Sequence, residues 1–145
     1  MDPWKQIDSH VVFDTRHFRV RKDVVELPNG ERKEWPYWDS PDSALVVGIT
    51  PDKKIIMIKL YRYLVGRDVI ELPAGHLHTN ELPQEATARE FEEETGYMCK
   101  NLIKLGSFYE TYGQLNRQIH IFFSKDVSKH NKILIVEKMD TKILS

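Results

Sequence analysis

Glu90, Glu93 and Glu94 place three carboxylates at i, i+3 and i+4, directly after Arg89. At about 100° per residue these glutamates share one side of a helix with Ala86 and Tyr97, while Ala88, Phe91 and Thr95 form another side suited to docking on a sheet. Pro83 suits the first helical position, where its missing N–H costs nothing, and Gly96 suits a left-handed stop just past the end. The residues between them are mostly good helix formers. Like charges at i, i+4 weaken a helix by roughly 0.2–0.5 kcal/mol per pair, so the cluster gains a rationale if a hard cation sits on it. Ligation by carboxylate oxygens alone suits Mg²⁺ or Mn²⁺, with the other positions left to water and substrate phosphate.

The rest of the chain must position that helix. Its 145 residues fit one domain with a real core, and 41% hydrophobic with 30% charged residues is an ordinary globular balance. The net charge of −1 favours neither nucleic acid nor a membrane surface as partner. No apolar run reaches spanning length, and the opening MDPWKQIDSH lacks a basic-then-apolar leader pattern. The single cysteine, Cys99, permits no internal disulfide, so a reducing, cytoplasmic location is expected.

Strand signals surround the helix. His10–Asp14 and His17–Leu27 read as strands, Pro28-Asn29-Gly30 as a turn, and Glu31–Trp38 as a returning hairpin arm. Ser43–Ile49 and Lys54–Tyr63 flank a turn at Thr50-Pro51-Asp52, and Val69–Leu72 leads into Pro73-Ala74-Gly75. Leu102–Thr111, Gln118–Ser124 and Lys132–Lys138 complete the set. Mixed strands around one central helix indicate an α+β or α/β sandwich. The expected organisation is a strand and hairpin arm over 1–42 and a catalytic core over 43–145, within one domain.

The helix segment resembles the Nudix box, G-x5-E-x7-R-E-U-x-E-E-x-G-U, where U is a bulky aliphatic residue. Gly75, Glu81, Arg89, Glu90, Glu93, Glu94 and Gly96 match every fixed position, and Phe91 and Tyr97 keep the bulk with aromatic rings. The approach to the box, Leu60-Tyr-Arg-Tyr-Leu-Val-Gly-Arg-Asp-Val-Ile-Glu-Leu-Pro-Ala-Gly75, is similar to that of ADP-ribose and ADP-sugar pyrophosphatases. Val24–Gly30, Gly106–Glu110 and Ile119–Phe123 also resemble parts of that subfamily. The resemblance implies a mixed β-sheet sandwiched by helices. That fold normally has a helix near its C-terminus, for which only Asp140–Ser145 remains here. It also implies metal-dependent cleavage of the phosphoanhydride in a nucleoside diphosphate linked to another group. For ADP-ribose the products would be AMP and ribose 5-phosphate.

On this resemblance Glu90, Glu93 and Glu94 are metal ligands, with the Ala74 carbonyl as a further ligand carried over from the family. Arg89 orients a box glutamate, Glu81 supports the loop and helix, and Glu92 is a solvated residue. Arg62 is the expected phosphate or ribose-side contact, since a planar guanidinium forks onto phosphate oxygens. Trp35 and Trp38 are candidates for stacking on a nucleobase, and Arg117 for binding a phosphate. In the resembled subfamily the N-terminal region crosses to a partner subunit, which implies a homodimer. One departure stands out. Those enzymes usually carry a glutamate in the loop after the box, whereas this chain reads Gly113-Gln-Leu-Asn-Arg-Gln118, with Asn116 or Arg117 in its place and Glu110 as the nearest carboxylate. Two alternatives stay open: a house-cleaning hydrolase of other nucleoside di- or triphosphate derivatives such as GDP-sugars, and a nucleotide-sensing module without turnover.

Overall fold

The computed structural model describes residues 2–16 and 18–130, and the backbone of 142–144. The chain divides into two compact units, Met1–Pro41 with Tyr109–Gln118, and Asp42–Phe108 with Ile119–Ser145.

The first unit is built on an antiparallel sheet of order β1-β2-β3, formed by β1 (Lys5–Asp14), β2 (Arg19–Glu26) and β3 (Arg32–Asp39). β1 starts five residues before the expected strand. The turn between β2 and β3 closes where the sequence places it: the Gly30 N–H donates to the Leu27 carbonyl at 2.8 Å, and Gly30 takes φ of 83°, which glycine tolerates at no steric cost. Edge-on aromatic contacts stiffen the sheet, Trp4 on Trp35 at 5.5 Å and Phe13 on Phe18 at 5.9 Å between centroids. The 109–118 loop docks on the end of β3. Trp38 N–H donates to the Gln114 carbonyl at 2.7 Å, and the Asn116 side chain clamps the corner, donating to Asp39 at 2.7 Å and accepting from the Ser40 N–H at 2.9 Å.

The second unit holds one helix among the described residues, α1 (Pro83–Thr95), and a mixed sheet of order β7-β4-β10-β9. Its strands are β4 (Ser43–Gly48), β7 (Ala74–His76), β9 (Ile103–Tyr109) and β10 (Gln118–Ser124). β10 runs parallel to β4 and β7 antiparallel to it, with Ala44 opposite both His120 and Gly75. Period-two alternation turns Ala44 and Val46 of β4, and Phe122 of β10, inward. They meet Ala86 and Phe91 of α1, together with Ile56, Cys99 and Val127, in one core. Phe91 is fully buried there, the docking role its helical phase predicts.

Two further sheets complete the unit. β5 (Met57–Arg62) and β6 (Arg67–Glu71) form a hairpin extended by β12 (Lys142–Leu144), so a strand occupies the stretch left for a C-terminal helix. β8 (Tyr97–Lys100) pairs with β11 (Asp126–Lys129), and neither was expected. The expected strand at Lys132–Lys138 lies outside the described residues. The mixed α+β architecture matches the expectation. Its second helical layer does not appear among the described residues, which are mostly strands with one helix.

Candidate active site

Helix α1 is set by its ends. The Glu85 side chain accepts from the Leu82 N–H at 3.0 Å, satisfying one orphan donor of the first turn. At the other end Gly96 takes φ of 69°, and its N–H closes on the Glu92 carbonyl at 2.8 Å. Between these ends the helix buries Glu90 and Glu94, at 8% and 7% exposure. Carboxylates are almost never this buried unless paired, so their partners define the site.

Both are held against the backbone of β7. Glu94 accepts a hydrogen bond from the Ala74 N–H at 3.0 Å. Glu90 occupies the space a side chain at residue 75 would need, since a Cβ on Gly75 would fall 2.0 Å from the Glu90 carboxyl carbon. The glycine of the motif is therefore a cradle for a carboxylate. Arg89 locks the arrangement. Its Nη1 donates to Glu90 at 2.7 Å, Nε and Nη2 fork onto Glu81 at 2.7 and 2.8 Å, and Nη2 also donates to the His76 carbonyl at 3.0 Å. Hydrogen bonding from Arg89 holds the Glu81 carboxyl down at about 2, well below its ordinary 4.5. Glu81 in turn accepts from the His78 N–H at 2.8 Å, so the loop before the helix folds back on the guanidinium. Arg89 thus bridges Glu81 of the loop and Glu90 of the helix.

Glu93 stands apart from the buried pair. It is half exposed and lies 3.4 Å from Arg89 Nη1. Among the described residues no group of three or more His, Cys, Asp or Glu side chains gathers to hold a metal ion. The pair Glu90 and Glu94 nevertheless fits Mg²⁺ or Mn²⁺. Mg²⁺ is commonly held by one or two carboxylates plus phosphate and water rather than by an all-protein cage, and this donor set is oxygen only.

The other expected residues fall in several places. Arg62, at the end of β5, is forked onto Glu71 of β6, with Nε 3.0 Å from Oε1 and Nη2 bonded to Oε2. In the other unit, Trp35 lines a cleft of about 200 Å³ with Tyr37, Tyr112 and Leu115. Trp38 does not line that cleft; its ring lies against Phe18, centroids 4.7 Å apart. Arg117 is engaged by Glu110, with Nε 3.1 Å from the carboxylate. Asn116 spends its amide on the β3 corner, so neither residue is placed as an uncommitted loop base. Glu92 is not the solvated residue expected: it is partly buried and paired with His130, whose N–H also closes on the Gly96 carbonyl at 2.9 Å. Neither Glu71 nor His130 stands out as a candidate in the sequence. Glu71 carried only a weak signal, its place in the run leading to Gly75, and nothing local marks His130.

Comparison with known proteins agrees with this geometry. Residues 39–141 match the NUDIX domain, and residues 4–38 match the nucleoside diphosphate sugar hydrolase N-terminal domain. The chain is 36% identical over 125 residues to a methanol dehydrogenase activator of Bacillus methanolicus, covering 86% of this chain and 68% of that protein. It is 35% identical over 124 residues to an ADP-ribose pyrophosphatase of Bacillus subtilis, covering 86% and 67%. A solved ADP compounds hydrolase shares the fold, with a TM-score of 0.81 at 20% identity over 99% of this chain and 78% of that one. With its helix, cradle glycine and arginine lock in place, the chain belongs to the NUDIX family and carries a nucleoside diphosphate sugar hydrolase N-terminal domain.

Proposed function

We propose that the protein is a metal-dependent pyrophosphatase of nucleoside diphosphate sugars, with ADP-ribose or an ADP-sugar as substrate and AMP and a sugar phosphate as products. The observation that carries this reading is the pair of buried carboxylates, Glu90 and Glu94, pressed on the Ala74–Gly75 backbone. The relatives named ADP-ribose pyrophosphatase support the substrate class. Glu90, Glu94 and the Ala74 carbonyl would hold a divalent ion, Mg²⁺ or Mn²⁺, with Glu93 at the solvent edge. A cation held there would supply positive charge to offset the phosphate charge that repels an attacking water.

The chain's own residues do the rest. Arg89 holds the Glu90 carboxylate in place through a charge-assisted hydrogen bond. Arg62 takes a phosphate oxygen. Glu93, the exposed carboxylate of the box, accepts the proton as water oxygen attacks phosphorus and the bridging P–O bond breaks. The aromatic cleft lined by Trp35 and Tyr112 suits stacking on a nucleobase. Trp38, packed on Phe18, supports the sheet that carries Trp35. Arg117 and Glu110 hold each other and so shape the loop.

The N-terminal sheet exposes Trp4, Val11, Val12, Phe13 and Trp35 by 40% or more each. A homodimer formed through this arm would cover such surface. No described helix is long and apolar enough to cross a membrane, and Cys99 is a free thiol, which supports a cytoplasmic location. A panel of ADP-ribose, other ADP-sugars, GDP-sugars and nucleoside triphosphates, with products identified in Mg²⁺ and in Mn²⁺, tests the reading. ADP-ribose yielding AMP as the fastest reaction supports it; preference for a triphosphate or for GDP-sugars favours the house-cleaning alternative. Tight binding without turnover favours a sensing module. Light scattering should give about twice 17.1 kDa.

A further inference from the structure

Arg62 and Glu71 meet in a way that hairpin register alone does not provide. Arg62 pairs across the hairpin with Arg67, whereas Glu71 lies opposite Ile58, four residues back along β5. The Arg62 side chain therefore runs back from the hairpin tip toward the Glu71 end, and Ala74, whose N–H binds Glu94, follows three residues after Glu71. Glu94 lies close enough to stabilise the charged guanidinium, behind the larger effect of the Glu71 hydrogen bonds. Both partners are substantially exposed, 50% for Arg62 and 34% for Glu71. A pair so wetted contributes little to folding. Its effect is geometric: two hydrogen bonds to one carboxylate fix a side chain that otherwise samples many rotamers. Among the described residues nothing else takes the remaining guanidinium donors, and the planar fork suits phosphate oxygens.

We propose that Glu71 is a positioning residue that holds Arg62 as a preformed phosphate fork. This inference rests on the pyrophosphatase reading for the identity of the phosphate ligand. Preorganisation of this kind strengthens binding by removing the ordering cost from the binding step.

The test is a double-mutant cycle with Glu71→Ala, Arg62→Ala and the double variant. Two readouts are taken: the Kd of a non-hydrolysable α,β-methylene analogue of ADP-ribose by calorimetry, and KM and kcat on ADP-ribose itself. Glu71→Ala should raise Kd and KM by roughly tenfold, in line with loss of a hydrogen-bonded charged partner, with kcat nearly unchanged. In the Arg62→Ala background the second substitution should add nothing, and Glu71→Gln, which keeps the shape, should fall between wild type and Glu71→Ala. Independent effects that multiply would overturn the proposal. So would a loss of kcat with a displaced pH–rate profile and unchanged KM, which would put Glu71 on the water rather than on Arg62. Coupled analogue binding in a wild type that does not hydrolyse ADP-ribose would sink the pyrophosphatase reading and leave the positioning role. Turnover with uncoupled effects would sink the positioning role alone, and no binding with no turnover would sink both.

Discussion

Gly75→Ala isolates the carboxylate cradle with a single methyl group. The added Cβ would lie 2.0 Å from the Glu90 carboxyl carbon and 2.2 and 2.4 Å from its oxygens. Carbon contacts are comfortable only near 3.5–4.0 Å, so the carboxylate must move by more than about 1 Å. The backbone need not, because the obstructing atoms are the far end of a flexible side chain. Two consequences follow in different assays. Stability falls by at most the loss of the 2.7 Å Arg89–Glu90 hydrogen bond, worth roughly 1.5–3 kcal/mol for a charged group. That corresponds to a Tm about 3–12 °C lower. Catalysis falls further, since a displacement of about 1 Å at a reacting centre can cost on the order of 10²-fold. The assays are thermal unfolding, Mn²⁺ binding by calorimetry, and kcat/KM on ADP-ribose. Gly106→Ala is the control, because a Cβ there meets nothing within 4 Å. A folded Gly75→Ala protein with wild-type Mn²⁺ affinity and kcat/KM would refute the placement of Glu90 at the reacting centre.

Glu81→Gln should be destabilising at neutral pH, and the difference from wild type should vanish on acidification. The folded carboxyl sits at about 2 against an ordinary 4.5, so its contribution is complete above about 4.5 and lost as pH falls toward 2; urea titrations at several pH values read this directly. Cys99 should resist iodoacetamide at pH 8 until the protein unfolds, because burial pushes its thiol up to about 11 and little thiolate forms; fast labelling of the native protein would contradict its place in the core. Glu92→Gln should leave turnover close to wild type while slightly lowering Tm, since Glu92 is paired with His130 and not with the carboxylate site. A turnover loss as deep as that of Glu94→Gln would show that the helical faces are misassigned.

What was legible in the sequence is what local chemistry fixes. Pro83 and Gly96 bracket the helix because one residue lacks an N–H and the other accepts φ of 69°. The inward phase of Phe91 follows from helical periodicity, and the pattern of β4 and β10 from the period of two along a strand. Gly75 was legible as a fixed position but not as a cradle, since the reason is a close approach by a residue 15 positions later. The missed features depend on distant partners. β8 and β11 are four-residue strands, separated by residues 101–125 in sequence, that exist by pairing with each other. Asn116, one of the residues standing where a loop glutamate is usual, reaches Asp39 across 77 residues and acts as a clamp. Glu92 meets His130 across 38 residues, and no periodicity announces it. The partner of Arg62, Glu71, follows from a diagonal across the hairpin that only the register reveals.

The most direct test is a time course of AMP release from ADP-ribose by wild-type protein and by Glu94→Gln, each with Mg²⁺ or Mn²⁺ and with chelator. Glu94 is nearly buried and tied to the Ala74 N–H, and the substitution keeps its shape while removing its charge. Wild-type protein with either cation should release AMP, chelator should abolish the release, and folded Glu94→Gln should lose turnover by orders of magnitude. AMP release that survives both chelation and the loss of the Glu94 charge would contradict the account at its centre.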